Sequence, residues 1–514
     1  MGAILASRMR QRVVSFISVW KTDNLTEGGS TANQVKLPLY DGGIYDFRVD
    51  WGDGTTSRIT SYNQQEVTHS YPTSGTYTIS IKGTLIGFRF NASSDRLKFM
   101  SVQQWGCLRV GNLGRIFIGC ENLTLNDVSD ILNLKGITDM SYMFAKCTSL
   151  TKVNRITDWD ISAITTISTM FWQASVFNQS LNGWDTRNIT NMSSVFNSAS
   201  SFDQSLNTWD TSKVTSILSM FNGASSFNQP LDNWNTGNVT NMSNVFSNAM
   251  SFNQNIDSWD VSKVTTMQSM FYTTPSFNQP LNNWDTSNVT DMAQMFGRAT
   301  AFNQPLNNWN TSKVTDMTNM FRLATGLTGA FNQDISSWDT GNVTTMFYMF
   351  AYSPVFNQPL NSWNVSKVTI MDSVFRQAFA FNQPLNNWDT SSVTNMASMF
   401  FEAKAFNQPL NLWNTKSSVS MNAMFQNATD FNQDISSWNV TKVNSFANFM
   451  LGKTFSNYSS LNYNALLNAW AAQSVITNKS INFGSVKYTS AGQPGRNILT
   501  ATKRWNIVDG GITT

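Results

Sequence analysis

Tryptophan recurs along most of this chain at a fixed interval. From Trp159 the indoles fall at Trp184, Trp209, Trp234, Trp259, Trp284 and Trp309, resume at Trp338, and continue through Trp363, Trp388, Trp413 and Trp438. Each step is 25 residues except Trp309 to Trp338, which is 29 because a four-residue insertion around residues 326–330 interrupts one unit. The text around each indole repeats as well, close to FNQPLNNWDTSNVTxMxxMFxxAxx. A period of this length predicts a solenoid, because one such unit cannot bury its apolar face alone and a stack of them can.

Within a unit the apolar letters are Phe227, Leu231, Trp234, Val239, Met242, Val245, Phe246 and Ala249. Residues 239–246 carry apolar side chains three apart plus an adjacent pair, which predicts a short helical turn. Residues 231–234 are the candidate extended segment, limited by Pro230 before it, and Asn235-Thr236-Gly237-Asn238 is turn chemistry. The expected coil is therefore leucine-rich-repeat-like, with a short strand and a short helical turn in every 25 residues. Stacking superimposes like on like. The row from Trp184 to Trp413 is read as core: each indole offers about 150–250 Å² to burial, worth roughly 4–6 kcal/mol before entropy is subtracted. The Asn of each FNQ string (Asn228, Asn278, Asn303) predicts a buried row in which each side-chain amide donates to the next coil.

The flanks differ. Residues 1–20 read as a lead-in, although the alternation over residues 13–20 passes for a first strand. Residues 21–100 read as an all-β, sandwich-like domain, with alternating runs at 45–51 and 75–81 between turn signals such as Gly52-Asp53-Gly54. Residues 101–150 read as two degenerate leading coils, because Cys120 and Cys147 follow Phe117 and Phe144 at the offset where the array carries alanine. A disulfide between them is sterically reasonable, but buried thiols are the favoured reading, since alanine serves elsewhere. The array proper spans residues 151–450. Residues 451–514 read as a small α+β cap, with one amphipathic helix over 463–470 and a second from about 496 to 505; open solenoid ends require such caps.

Little here points to chemistry. No Gly-rich loop is followed by Lys-Ser/Thr, no His–Glu motif exists, and no cysteines have zinc spacing. No cofactor or metal is expected. His69 is the single histidine and is read as structural. Asp50 and Asp53 invite a calcium reading, but carboxylates beside glycine in a turn more often cap backbone N–H groups. The carboxylates after each tryptophan (Asp210, Asp260, Asp285) alternate with Asn235, Asn310 and Asn364. A catalytic acid does not tolerate that exchange and a turn-capping oxygen does, so an enzyme acting on polysaccharide is disfavoured. A net charge of +3 with 13% charged residues implies no nucleic-acid partner, which needs a concentrated basic stripe; Arg8, Arg10 and Arg12 are read as a solvated tail. No apolar run is long enough to span a membrane, and the run at residues 3–6 is too short for a signal-peptide core.

Two resemblances follow from these motifs. The strings VDWGDGT and HSYPTSGTYTISIKG resemble a PKD-type β-sandwich domain. The repeat, with Val-Thr-x-Met, Met-Phe and x-x-Ala at fixed offsets over roughly residues 110–450, resembles BspA-like leucine-rich repeat surface proteins. That likeness implies a non-enzymatic protein exposed on a cell or virion surface, active in adhesion or recognition. Its partner is then a protein or glycan on another surface. The alternative is a structural or decorating component of a virus particle or filament, a stiff spacer touching neighbouring structural proteins. The candidate contact residues are the variable ones after the Phe of each coil: Tyr272, Arg322, Tyr348, Tyr352, Arg376 and Glu402, where Tyr and Arg act as anchors.

Overall fold

The computed structural model describes residues 14–513; Arg8, Arg10 and Arg12 lie outside them. The chain divides into two compact units, one ending at Trp234 and one beginning at Asn235.

The first unit opens with β1 (Phe16–Lys21), β2 (Gln34–Lys36), β3 (Ile44–Asp50), β4 (Thr56–Ile59), β5 (Thr68–Ser70), β6 (Thr76–Ile86), β7 (Phe99–Gln104) and β8 (Leu108–Arg109). The main sheet has the order β4-β3-β6-β1-β7, with β8 parallel to the end of β6 and β2–β5 as a separate antiparallel pair. Alternation sets the faces: Tyr45, Phe47 and Val49 of β3 point inward while their neighbours are exposed. The segment expected as a lead-in holds β1, which lies between β6 and β7 with Phe16 and Trp20 fully buried. The sheet therefore starts before residue 21 and runs past residue 100.

Strand β7 hands the sheet over to the coils. Its Ser101 forms a parallel bridge with Thr124, and Leu125 forms the next with Val153. Phe99 stacks on Phe117 at 5.7 Å, and Phe117 on Phe144 at 5.8 Å. The edge of β7 is thus covered by chain from the same unit, which removes an open template for aggregation.

The coils are built from turns. In the first unit Met140, Tyr142, Phe144 and Lys146 donate their backbone N–H groups to Thr166, Ser168, Met170 and Trp172 of the next coil, at 2.6–3.0 Å. The residues between them bond locally: Met143 to Met140, Ala145 to Tyr142, Cys147 to Phe144. Tyr142 and Lys146, third residues of the first and last of these turns, have φ of 57° and 60°, as type II turns demand. The second unit repeats this, with Met242, Asn244, Phe246 and Asn248 donating to Thr266, Gln268, Met270 and Tyr272. The expected helical turn is therefore three overlapping β-turns. A helix would close every N–H internally, whereas here alternate N–H groups join one coil to the next. The parallel bridge lies in this same stretch, at Asn241–Thr266. Residues 231–234, expected to be extended, close a turn from Trp234 N–H to Leu231 C=O.

Side chains fill the coils in rows. The tryptophans from Trp184 to Trp413 are at most 4% exposed. Trp309 and Trp338 lie 4° from parallel with centroids 6.3 Å apart. Indole N–H groups also find partners in the preceding coil: Trp284 donates to Ile256 C=O at 3.1 Å and Trp309 to Leu281 C=O at 2.8 Å. Two phenylalanines per coil pack face to face, Phe296 on Phe302 at 4.0 Å.

After the last coil come α1 (Ser460–Ala471), β9 (Ser480–Asn482), α2 (Gln493–Asn497) and β10 (Asn506–Val508). Ser459 caps α1 by accepting from Asn462 N–H. The second helix begins earlier than expected, with Pro494 in its first turn, and passes into a π-helical segment that ends at Thr502. Strands β9 and β10 pair in parallel. The coil pattern continues into this tail, since Met450 N–H donates to Asn482 C=O at 2.8 Å and Phe446 bridges Ile481. Trp470 covers Phe446 at 5.6 Å.

Candidate functional site

The turns that join the coils also present an edge. Residues two before, one after and two after the Phe of each Met-Phe or Val-Phe pair lie along it, and in most coils the first and last of these are held at positive φ. Arg298, Tyr348, Tyr352 and Glu402 have φ of 55–62°, a conformation disfavoured for bulky side chains. It persists because each N–H at these positions is bonded to the next coil, as Tyr352 is to Arg376 C=O at 2.7 Å.

Five of the six predicted contact residues come together along this edge in the second unit. The Arg322 guanidinium lies 5.1 Å over the Tyr348 ring and 5.9 Å over that of Tyr352. Arg376 lies 3.8 Å over Phe401 and 6.0 Å over Tyr352, whose hydroxyl accepts its Nε–H at 3.1 Å. Glu402 accepts from Gln377 at 2.9 Å and from Asn427 at 3.3 Å. Tyr272 pairs instead with Arg298, at 5.5 Å. All of these side chains are half-buried. Sequence reasoning passed over Arg298 and Phe401, although they occupy the same positions relative to Phe296 and Phe400. Among the described residues no carboxylate pairs with Arg298, Arg322 or Arg376, and the buried Nε of Arg322 has no acceptor. The first unit carries comparable cation–aromatic pairs beside the Phe of its coils, Arg115 over Tyr142 and Lys146 over Trp172, each at 4.8 Å.

The family described as Mycoplasma protein of unknown function, DUF285, matches at residues 88–188, 138–257, 179–277, 251–329, 328–392 and 371–491. The chain belongs to this family. Its repeats are of the BspA-like type, and the matched spans take in the leading coils, α1 and β9, while β1 to β6 lie before them. No curated protein and no solved structure matches the chain.

The remaining polar rows of the DUF285 coils are committed internally. Asp285 accepts from Ser287 N–H at 3.0 Å and Asn310 from Ser312 N–H at 3.1 Å, so acid and amide cap the same turn. Serine hydrogen bonds hold the carboxyls of Asp210, Asp260 and Asp389 below their usual range. The FNQ row differs from expectation in both burial and direction. It is half-buried, and Asn278 Oδ1 accepts both Asn303 N–H at 2.9 Å and the Gln304 side-chain amide at 3.1 Å. Only the oxygen is required, which is why Asp203 fills the same place and accepts Asn228 N–H. A row missed in the sequence is the threonine that follows the Asp or Asn in most coils: buried Thr286 donates its hydroxyl to Asn310 C=O at 2.9 Å. At the sequon Asn288-Val289-Thr290, the nitrogen that would carry a glycan donates to Ser262 C=O at 2.8 Å.

In the β-region Asp50 Oδ1 accepts Gly52 N–H, while Asp53 accepts Thr55 through one oxygen and His69 Nε2 at 2.8 Å through the other. Burial raises the Asp53 carboxyl, but the bonds from Thr55 and His69 outweigh it and lower it to about 2. His69 in turn stacks on Trp51 at 4.7 Å. Among the described residues no three His, Cys, Asp or Glu side chains gather as metal ligands. Cys120 and Cys147 are buried thiols, pushed up by burial, with Cys147 donating to Phe117 C=O. Cys107, half-buried, donates to Ile81 C=O. No helix of the described residues is long and apolar enough to cross a membrane.

Proposed function

We propose that this DUF285 protein is a non-enzymatic recognition protein, a solenoid of BspA-like coils whose turn edge engages a macromolecule on another surface. One observation carries the reading: Arg322 and Arg376 stack with Tyr348, Tyr352 and Phe401 in an unbroken line, with no carboxylate on the guanidiniums among the described residues. Arg and Tyr are the residues that dominate binding energy at interfaces. The rows inside the coil repeat the same letters, while this edge changes from coil to coil, as recognition on a repeating frame requires. Exposure at a cell or particle surface, in adhesion to host or matrix, is the setting that the BspA-like likeness favours. We read the β-region as PKD-like on the strength of its VDWGDGT turn, with Asp50 and Asp53 capping it.

The test has two parts. Antibody labelling of intact, unpermeabilised cells or particles should stain the surface; staining only after permeabilisation would overturn the adhesion setting. Adhesion of the purified full chain to matrix-coated wells should fall when Arg322 and Arg376 are both changed to Gln, and unchanged adhesion would remove this edge from the function.

A further inference from the structure

Resting on the recognition reading above, we infer the chemistry of the partner: a linear acidic polysaccharide, bearing carboxylate or sulfate groups, laid across the coil edges of the second unit and held by Arg298, Arg322 and Arg376.

The charge pattern comes first. Three guanidiniums share one edge and none has a carboxylate partner among the described residues, while the adjacent acid, Glu402, is held by Gln377 and Asn427. Arg298 lies over Tyr272, Arg322 over Tyr348 and Arg376 over Phe401, and a guanidinium held on a ring presents a planar fork suited to bidentate recognition of an oxyanion. The buried, unpartnered Nε of Arg322 is a donor that this chain leaves unsatisfied.

Spacing narrows the class. Arg322 and Arg376 hold the same position two coils apart, and coils joined by backbone hydrogen bonds repeat near strand spacing, which places the two roughly 10 Å apart. That interval is about two sugars long, so it suits an acidic polysaccharide whether every sugar or every second one carries the acid. Phosphates of one strand recur about every 3.4 Å along the axis of a duplex, a finer comb than this one. An acidic peptide would bind best by adding a strand, but the N–H groups at this edge, those of Tyr348, Tyr352 and Glu402 among them, are already bonded to the next coil. Pyranose rings need flat apolar faces between their charges. The half-buried Tyr348, Tyr352 and Phe401 supply them.

The experiment uses the purified full chain against immobilised heparin, polygalacturonate, neutral dextran and single-stranded DNA. Binding is expected to heparin or polygalacturonate and not to dextran, weakening as salt is raised. Arg322→Gln and Arg376→Gln should each weaken it roughly tenfold, and Glu402→Gln should leave it equal or tighter. If Arg322→Gln lowers the melting temperature, Arg298→Gln, whose ring partner is Tyr272 alone, decides the matter. Failure to bind either acidic polysaccharide, indifference to the arginine changes, or equal arginine-dependent binding of DNA would each overturn the inference. If the polysaccharides fail while the arginine variants still reduce adhesion to matrix, recognition stands and only this ligand class falls; if adhesion is also indifferent, both fall.

Discussion

In the region of β1 to β8 the buried charges are one lysine and one aspartate, which occur once, beside neutral Ser18 and Thr22. Within residues 151–450 the buried polar groups are neutral and come in rows. Lys98 and Asp95 are both fully buried, 3.7 Å apart. The ammonium donates to the carbonyls of Ser30, Thr31 and Gln34, and the carboxylate accepts the amides of Ser30 and Lys36. Burial lowers the Lys98 pKa against the pull of Asp95. A coil solves the same problem with a threonine hydroxyl on the next coil's carbonyl, or an amide oxygen shared by two donors. The bespoke pair binds distant segments into one arrangement but fails if either partner is lost. The neutral row spreads the task over many equivalent bonds and tolerates exchange.

Four measurements sharpen or break that contrast. Trp284→Ala removes a stacked indole and its bond to Ile256 C=O, and should cost about 4 kcal/mol in denaturant melting. A fully stable variant that had lost only glycan binding would place this row at a binding site instead of the core. Asp95→Ala strands the buried Lys98 charge and should cost about 3 kcal/mol; a loss below about 1 kcal/mol would show that the β-region does not depend on its single pair. Asn278→Leu orphans the donors of Asn303 and Gln304, for about 2 kcal/mol, whereas Asn278→Asp, which keeps the acceptor, should stay within about 1 kcal/mol. Equal losses from the two would refute the oxygen-only role.

The smallest effect is on pH dependence. The folded Asp53 carboxyl, at about 2, lies below its unfolded value of about 3.9. The stability it contributes is therefore complete above about pH 4 and disappears as the pH falls toward 2. Hydrogen exchange at the β3–β4 turn should accelerate across that window, and Asp53→Asn should abolish the dependence. Turns capped by Asn310 and Asn364 have no titrating cap and should lack this response.

Much of the coil was legible because repetition exposes constraint. Asp285 beside Asn310 in one column already says that an oxygen, and not an acid, is wanted. The turn chain was misread because apolar residues three apart, such as Val239, Met242 and Val245, suit a helix and a run of β-turns equally. The discriminating signal was present at the positive-φ positions, where Asn244, Asn248, Ser194 and Gly223 are residues that tolerate or favour that conformation. Choosing the variable positions near Phe found most of the arginine–aromatic line. Its pairing required knowing that Tyr348 and Arg322 sit side by side in neighbouring coils. Nothing local announced Asp95–Lys98, whose partners at Ser30 and Lys36 are more than fifty residues away in sequence.

The division of N–H groups between a coil's own turns and its neighbour makes 25 residues a unit of inheritance. Duplicating or deleting one block leaves each donor facing an equivalent acceptor; most other changes of length break the register. The exception in this chain is instructive. Residues 326–330 enter just past the Phe of one coil, yet Phe321 N–H still meets Met349 C=O before them and Ala330 N–H meets Thr300 C=O at their end. Copy number can therefore drift between lineages while the fold persists, and the length of the edge offered to a partner changes in whole steps.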